Sequence, residues 1–149
     1  MADKSQVGRE YELAPWEVER CKIKELAWAI GDPNPIYTDK EAAAKEGYQD
    51  IPAPPTYATV PGNWQSNTGQ FMDDLGINYM MIVHGGEEYE YHKEIYPGDV
   101  ISGKTTVASV VEKESKSGSK MDIVIIETVY NNQNNEKVLT ARTTIIERK

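Results

Sequence analysis

The spacing of apolar residues predicts helices in the first half of the chain. One set of apolar residues recurs at i, i+3, i+4 and i+7, namely Ile23, Leu26, Ala27 and Ile30. This spacing places the four side chains on one face of an amphipathic helix. Gly31 follows the set and is predicted to end the helix, because glycine readily adopts the left-handed conformation of a C-terminal cap. Residues 9–13 are predicted to form a short strand that is broken at Pro15.

Two further helical segments are predicted before residue 80. Thr38, with Glu41 three residues later, matches a capping box and predicts a short helix that ends at Gly47. Residues 56–75 are predicted to be helical and to end at Gly76. Pro61-Gly62 either kinks this helix or separates a helical turn from a second segment. The predicted buried positions are Tyr57, Val60, Trp64, Phe71 and Leu75.

The second half of the chain changes to a period of two, which predicts strands. In residues 87–92, acidic and histidine side chains alternate with Tyr89 and Tyr91, so the two faces of this strand differ. Longer strands are predicted at 101–113, 121–131 and 138–147, with turns at 97–98, 116–118 and 131–135. Residues 123–126 are apolar on both faces, which indicates a central strand or a subunit contact. The pattern predicts an α+β domain with one helix packed across a long antiparallel sheet.

Composition limits the partners that the chain can have. Its 149 residues fit one domain, 1–149, and a net charge of −8 without a Lys/Arg-rich block argues against nucleic acid. No apolar run reaches membrane-spanning length, and the first ten residues have no apolar core, so no membrane segment or secretory signal is expected. A lone cysteine, Cys21, favours the cytoplasm and is expected to pack rather than react. With two histidines and one cysteine, no metal site and no cofactor are predicted.

A polar turn lies between the first two predicted helices. Asp32 and Asn34 each precede a proline, so both are biased toward extended backbone on a stiffened turn. The simplest interpretation is a helix stop followed by a proline-rich turn. Alternatively, the turn displays a carboxylate and an amide that hold a water molecule, with Tyr37 nearby. Adding that water to an enoyl thioester needs a base and donors for the enolate-like oxygen.

Several sequence blocks resemble the MaoC-like family of hydratases and dehydratases. The family signature G-D-x-N-P-[L/I]-H, followed by a small residue, is matched by Gly31, Asp32, Asn34, Pro35 and Ile36 and then by Ala43. Residues 18–20, 53–57 and 96–99 extend the resemblance over nearly the whole chain. It implies a hot-dog fold, in which a long antiparallel β-sheet wraps a central helix and additional helices form an N-terminal overhang. The chain is most similar to N-terminal-type members, including the substrate-binding subunit of (3R)-hydroxyacyl-ACP dehydratases.

Two departures from the family pattern bear on catalysis. The slot of the family's catalytic histidine holds Tyr37, and a phenol is a poor base at neutral pH. Active members usually place a His-Gly at the start of the central helix, where a backbone N–H can face the thioester oxygen. Pro54-Pro55 occupies that point here, and proline has no N–H to donate.

These departures leave two hypotheses for the function. In the first, the chain is the accessory acyl-binding subunit of a hydratase/dehydratase for acyl-CoA or acyl-ACP thioesters. It then pairs with itself or with a MaoC-like subunit that carries an intact Asp/His pair. In the second, it is a self-sufficient (R)-enoyl-CoA hydratase that uses Asp32, Asn34 and Tyr37; a hot-dog thioesterase has less support.

Other residues are predicted to contact the substrate. Pro55 and Thr56 lie at the helix start, and a His84-Gly85-Gly86 turn would place His84 and Gly85 near a pocket. The alternative for His84 is an exposed strand end, and His92 is expected to be solvated. The cations that could meet a phosphate of coenzyme A or phosphopantetheine are Lys93, Lys104 and Arg142.

Overall fold

The computed structural model describes residues 2–61, 69–114 and 118–148. Within these ranges, five strands form a single sheet: β1 (Glu10–Glu17), β2 (Ile82–Tyr91), β3 (Val100–Glu114), β4 (Lys120–Asn131) and β5 (Lys137–Arg148). The order across the sheet is β1-β3-β4-β5-β2, and all neighbours are antiparallel. The predicted long antiparallel sheet is confirmed. The strand with the apolar run 123–126, β4, is central as predicted.

The predicted end of the first strand is wrong. β1 does not stop before Pro15 but continues to Glu17. The reason is that β1 lies at the sheet edge and its register with β3 shifts between Leu13 and Trp16. An edge strand with an irregularity is the position at which a sheet tolerates proline, because no ladder hydrogen bond is lost.

The predicted turn at His84-Gly85-Gly86 is also wrong. β2 begins at Ile82, not at residue 87, so these three residues lie inside a strand. The register with β5 shifts between His84 and Gly86, which marks a β-bulge. His84 pairs with Ile145 on one side of the bulge, and Glu87 pairs with Thr143 on the other. The next reversal, at 97–98, is confirmed as a turn in which Gly98 has a φ of 89°.

The helices of the first half are α1 (Arg20–Ala29) and α2 (Lys40–Lys45). α1 buries Ile23 and Ala27 as predicted, but Ile30 follows the helix as its C-terminal cap and is 53% exposed. The predicted cap of α2 is wrong by one residue. Asp39, not Thr38, accepts hydrogen bonds from the Glu41 and Ala42 amides, at 2.8 and 3.3 Å. A carboxylate one residue closer to the helix satisfies two of its free N–H groups.

The helix predicted at 56–75 is described only at its two ends, because residues 62–68 lie outside the described residues. It starts with a 3-10 turn at Tyr57–Thr59 rather than with an α-helix, and α3 (Gln70–Asp74) follows later. Tyr57 and Leu75 are buried as predicted, and Val60 and Phe71 are partly buried. Trp64 lies outside the described residues. In the part of the chain that the structure describes, no helix is long and apolar enough to cross a bilayer.

One face of the sheet, here called the inner face, carries two apolar clusters. It is defined by the buried alternate residues of β4: Asp122, Val124, Ile126, Thr128 and Tyr130. The first cluster joins the helices of the first half to Tyr130 and Leu139, and the second joins α3 to Val107 and Val124. Between the clusters, Thr105 and Thr128 are buried and hydrogen-bonded to each other at 2.9 Å. The middle of the inner face is therefore polar.

A carboxylate clamp holds the two helices that flank the polar turn. Asp50 accepts two hydrogen bonds from Arg20, at 2.6 and 2.8 Å, and one from Lys40 at 3.2 Å. Because Arg20 and Lys40 are the first residues of α1 and α2, a single carboxylate ties together the starts of both helices. The Arg20 guanidinium, together with the Ile51 amide and Lys40, holds the pKa of Asp50 well below its usual range.

We expect Gly103→Ala to destabilise the fold. A Cβ on Gly103 would lie 2.9 Å from the ring of Tyr130, which packs edge-on against Trp16 with ring centroids 5.6 Å apart. Overpacking of this kind costs about 1–3 kcal/mol of unfolding free energy. The matched control is Gly86→Ala on β2, where a Cβ meets nothing within 4 Å. Denaturant titration should leave this control within about 0.5 kcal/mol of the wild type; equal losses in both variants would contradict the steric explanation.

We expect Asp50→Asn to lower stability by about 1 kcal/mol at neutral pH. Because the folded-state pKa of Asp50 is depressed, its contribution is present above the unfolded pKa, near 4, and is lost as pH falls further. The difference in unfolding free energy between wild type and variant should therefore be constant above about pH 5 and should shrink below about pH 4. Glu25→Gln, which removes the exposed pair with Lys22, is the control and should change little. A difference that stays constant down to pH 2 would contradict the clamp.

Candidate functional site

The polar turn begins at a helix end whose backbone hydrogen bonds are satisfied. Gly31 has a φ of 72°, in the left-handed region, and donates its amide to the Trp28 carbonyl at 3.1 Å. The Asp32 amide donates to the Ala27 carbonyl at 2.9 Å. This pair of bonds is the Schellman arrangement, which reverses the chain directly after α1. The predicted stop at Gly31 is confirmed, and it fixes where Asp32 lies.

The side chains of Asp32 and Asn34 hold the turn itself. Asp32 Oδ1 accepts from the Asn34 amide at 2.9 Å, and Asn34 Oδ1 accepts from the Ile36 amide at 3.1 Å. The second bond caps a 3-10 turn at Pro35–Tyr37. Each side chain therefore uses one oxygen to rigidify the turn, as expected for a helix stop followed by a proline-rich turn. The other Asp32 oxygen and the Asn34 amide nitrogen remain available to hold a water molecule.

Tyr37 points from the turn into the first apolar cluster and is only 8% exposed. Burial raises the pKa of the Tyr37 phenol above its ordinary value, and the nearby charge of Asp32 raises it further. The phenol therefore stays protonated at neutral pH. It can donate a hydrogen bond, but it cannot accept a proton from water.

The wall opposite Tyr37 is made by Pro55 and Tyr91. The Tyr91 hydroxyl donates to the Pro55 carbonyl at 2.7 Å. Tyr37, Pro55 and Tyr91 line one cavity of about 200 Å³, together with Tyr48, Pro52, Ala53 and Glu94. The Pro55 carbonyl therefore already accepts a hydrogen bond, and neither Pro54 nor Pro55 has a backbone N–H to donate to a ligand.

The structure places other predicted site residues at three positions outside the Tyr37 cavity. Asn34 lines a different cleft from Tyr37, of about 490 Å³, whose wall is formed by residues of α2 and by Tyr48. Thr56 is exposed, and its carbonyl accepts from Thr59 at the start of the 3-10 turn. His84 lines a third cavity, described below, and Gly85 lies beside it in the bulge of β2.

The cations suggested as phosphate ligands are engaged in ion pairs. Lys93 pairs with Glu136, Lys104 with Glu10 and Glu12, and Arg142 with three carboxylates. The expectation that Cys21 packs is wrong, because Cys21 is exposed on α1. Its thiol lies 3.4 Å from Glu25, whose carboxylate raises the pKa of the thiol and so weakens it as a nucleophile. His92 is exposed and lies 3.1 Å from the Thr140 hydroxyl.

Two residues of the Tyr37 cavity could not be identified from the sequence pattern. For Tyr91, strand alternation gives the face of its side chain but not the partner of its hydroxyl. Glu94 follows β2 with no periodic signal, yet it brings a carboxylate to the cavity. Over residues 2–61, 69–114 and 118–148, no three or more metal-binding side chains lie close enough to hold an ion.

Comparisons with known proteins agree with this geometry. The family model described as FAS1-like, dehydratase domain region matches residues 5–141. A UPF0336 protein of Streptomyces avermitilis is 39% identical over 149 residues, covering 98% of this chain and 95% of that protein.

Solved structures give the fold. A MaoC-like dehydratase superposes with a TM-score of 0.82 at 27% identity, over 97% of this chain. The chain spans less than half, 42%, of that protein. The C-terminally truncated HadBC (3R-hydroxyacyl-ACP dehydratase) complex from Mycobacterium tuberculosis contains a chain with a TM-score of 0.79 at 26% identity, over 95% of this chain and 96% of that one. The hot-dog fold expected from the sequence is confirmed, and the chain belongs to the FAS1-like dehydratase-region family, within the MaoC-like hydratases and dehydratases.

Proposed function

We propose that this chain is the accessory, acyl-binding subunit of a hydratase/dehydratase that interconverts (R)-3-hydroxyacyl and trans-2-enoyl thioesters. The observation that carries the proposal is the buried, protonated Tyr37 in the slot of the family's histidine. Water addition needs a group that takes a proton near neutral pH, and this phenol cannot serve as that base.

The Pro55 wall supports the same conclusion from a second direction. An enolate-like oxygen is stabilised by N–H or O–H donors aimed at it. Pro54-Pro55 supplies no N–H, and the Tyr91 hydroxyl is engaged with the Pro55 carbonyl. The family's histidine base and its backbone donor are therefore both missing from one cavity, and a partner that carries an intact Asp/His pair would supply them.

The chain retains features suited to binding a thioester. The turn that holds Asp32 and Asn34 is rigid, and the cavity beside Tyr37 is lined by tyrosine and proline side chains. We assign Pro55 and Thr56, at the mouth of this region, to substrate contact. His84 and Gly85 on β2 are assigned to the same role, farther along the inner face. No cofactor is required for this role.

The edge strand β2 is our choice for the partner contact. Of the described strands, β1 and β2 each pair on one side only, and β2 is the edge strand whose residues line both the Tyr37 and the His84 cavities. Its free edge presents backbone donors and acceptors to a second subunit. The structural relative HadBC is a complex. We propose a MaoC-like partner in the cytoplasm, in fatty acid metabolism, with pairing between two copies of this chain as the alternative.

A self-sufficient (R)-enoyl-CoA hydratase is the second candidate function. The charge of Asp32 adds to burial in raising the pKa of the Tyr37 phenol, so a carboxylate and a proton donor interact within this one turn. In that mechanism Asp32 would act as the base and Tyr37 as the acid. A thioesterase has less support, because the Gly31–Ile36 signature resembles the water-adding branch of the family.

The lone chain should show no more than background hydration of trans-2-enoyl-CoA. The assay is the loss of the conjugated enoyl-thioester absorbance, with short and long acyl chains. Adding a MaoC-like subunit with an intact G-D-x-N-P-x-H motif should raise the rate by at least about 100-fold, the usual contribution of a general acid–base group. Robust turnover by the lone chain, abolished by Asp32→Asn, would overturn the accessory role in favour of the self-sufficient enzyme.

Tyr37→His alone should not confer hydratase activity on the lone chain. The new imidazole would restore a base, but the Pro54-Pro55 wall would still lack a backbone donor for the enolate-like oxygen. The control is Tyr37→Phe, which keeps the packing and removes only the hydroxyl; thermal unfolding confirms that both variants fold. A clear gain of turnover in Tyr37→His would show that the histidine slot is the main deficit.

A further inference from the structure

The bulge in β2 brings two ionisable side chains onto the inner face. Residues three apart on a regular strand point to opposite faces, but the extra residue at Gly85 puts His84 and Glu87 on the same one. His84 Nε2 and Glu87 Oε2 lie 3.8 Å apart. A Cβ on Gly85 would lie 3.0 Å from Ile146 and Thr144, so a glycine suits this close approach to β5.

These two side chains open onto a cavity of about 280 Å³. The remaining lining residues come from the 58–59 segment and from β2, β4 and β5: Ala58, Thr59, Tyr89, Thr128, Tyr130, Ala141 and Thr143. Seven of the nine lining residues have a polar group in the side chain. The cavity borders the polar middle of the inner face and reaches the first apolar cluster at Tyr130 and Ala141.

Glu87 is the charged centre of this cavity. Its side chain is 25% exposed, and Oε1 accepts from the Thr143 hydroxyl at 3.0 Å. Burial, followed by the charge of Glu87, raises the pKa of Tyr89 and raises the pKa of Tyr130 to about 12. Both phenols therefore stay protonated around a carboxylate. His84, the nearest cationic candidate, is 61% exposed and beyond hydrogen-bond distance.

A wholly aliphatic chain would leave the polar groups of this cavity unpaired. It would strip water from the Glu87 carboxylate and from the surrounding hydroxyls without replacing any hydrogen bond, which is unfavourable. A hydroxyl group on the ligand can replace these hydrogen bonds, since it donates to the carboxylate and accepts from a threonine or tyrosine hydroxyl.

The cavity lies farther along β2 than the Tyr37 cavity. Tyr91 borders the near cavity and Glu87 the far one, four residues or about 13 Å apart along the strand. The segment 55–59 borders both cavities, because Pro55 lines the near one and Ala58 and Thr59 line the far one. A thioester held at the turn can thus extend its acyl tail toward Glu87.

We propose that the Glu87 cavity is a specificity subsite for an acyl chain that carries a hydroxyl group well beyond carbon 3. The inference rests on the proposed function, in which this chain binds the acyl part of a thioester. Glu87 accepts the hydrogen bond of that hydroxyl, and Thr143 positions the carboxylate. A neutral donor elsewhere in the ligand, the amide N–H of the pantetheine arm, has the same chemistry and must be distinguished from it.

The test compares the binding of three ligands to the full chain by titration calorimetry. They are a long-chain trans-2-enoyl-CoA, the same molecule with a hydroxyl at the chain terminus, and coenzyme A alone. The 2-enoyl form removes the hydroxyl of carbon 3 from the comparison. The terminally hydroxylated thioester should bind about tenfold tighter or more than the unsubstituted one, as expected for a hydrogen bond to a charged group.

Two variants of Glu87 should change this preference in a graded way. Glu87→Gln should reduce the ratio of the two affinities to about threefold or less, because the charge is lost and an acceptor remains. Glu87→Leu should reverse it in favour of the aliphatic thioester. The matched control is Glu90→Gln, on the same strand but on the outer face beside Arg142, which should keep the wild-type ratio. Thermal unfolding of each variant checks the fold, and Glu87→Gln suffices if Glu87→Leu does not fold.

The possible failures are distinguishable. If neither thioester binds, the proposed function fails and this inference fails with it. If both bind equally and Glu87→Gln changes nothing, the thioester function stands and the hydroxyl subsite is overturned. If coenzyme A alone binds as tightly as the hydroxylated thioester and Glu87→Gln weakens the binding of coenzyme A, the donor is the pantetheine amide. The proposal of a subsite for an acyl hydroxyl is then overturned.

Discussion

The pairing of β2 with β5 determines which side chains face both cavities of the inner face. A strand alternates its side chains, so a shift of one residue would turn every inward group outward. The bulge at Gly85 makes such a shift once, within the strand. Beyond it, Glu87, Tyr89 and Tyr91 face inward, and Tyr91 reaches the Pro55 carbonyl at 2.7 Å. The wall of the candidate site and the polar cavity therefore share a single register.

The two cavities differ in the chemistry that burial allows. Beside the turn, burial keeps Tyr37 and Tyr91 protonated, so the near cavity offers hydrogen-bond donors and ring faces but no proton acceptor near neutral pH among its phenols. The far cavity holds the Glu87 carboxylate among hydroxyls. A ligand that spans both would meet tyrosine rings beside Glu94 at one end and a carboxylate among hydroxyls at the other.

Sequence reasoning was strongest where the backbone itself imposes the outcome. The stop at Gly31, the reversal at Gly98 and the central position of β4 follow from glycine conformation and from apolar patterning, and all three are present. It failed where tertiary context decides. Pro15 looked like a strand end, yet an edge strand tolerates it. His84-Gly85-Gly86 looked like a turn, since glycine pairs signal both turns and bulges and only the pairing with β5 separates them.

The candidate site, too, could be predicted from the sequence only in part. The motif located Asp32, Asn34 and Tyr37 correctly within one turn, but it could not show that Asn34 and Tyr37 face different cavities. The partner of the Tyr91 hydroxyl comes from a segment 36 residues away, which no local pattern encodes. The contact matters because it joins the two departures from the family pattern. The same Pro55 that removes a backbone donor presents a carbonyl, and Tyr91 binds that carbonyl while lining the cavity that Tyr37 faces. Replacing Tyr37 alone would leave this closed wall in place, so the departures from the family pattern depend on the packing of three elements and not on one residue.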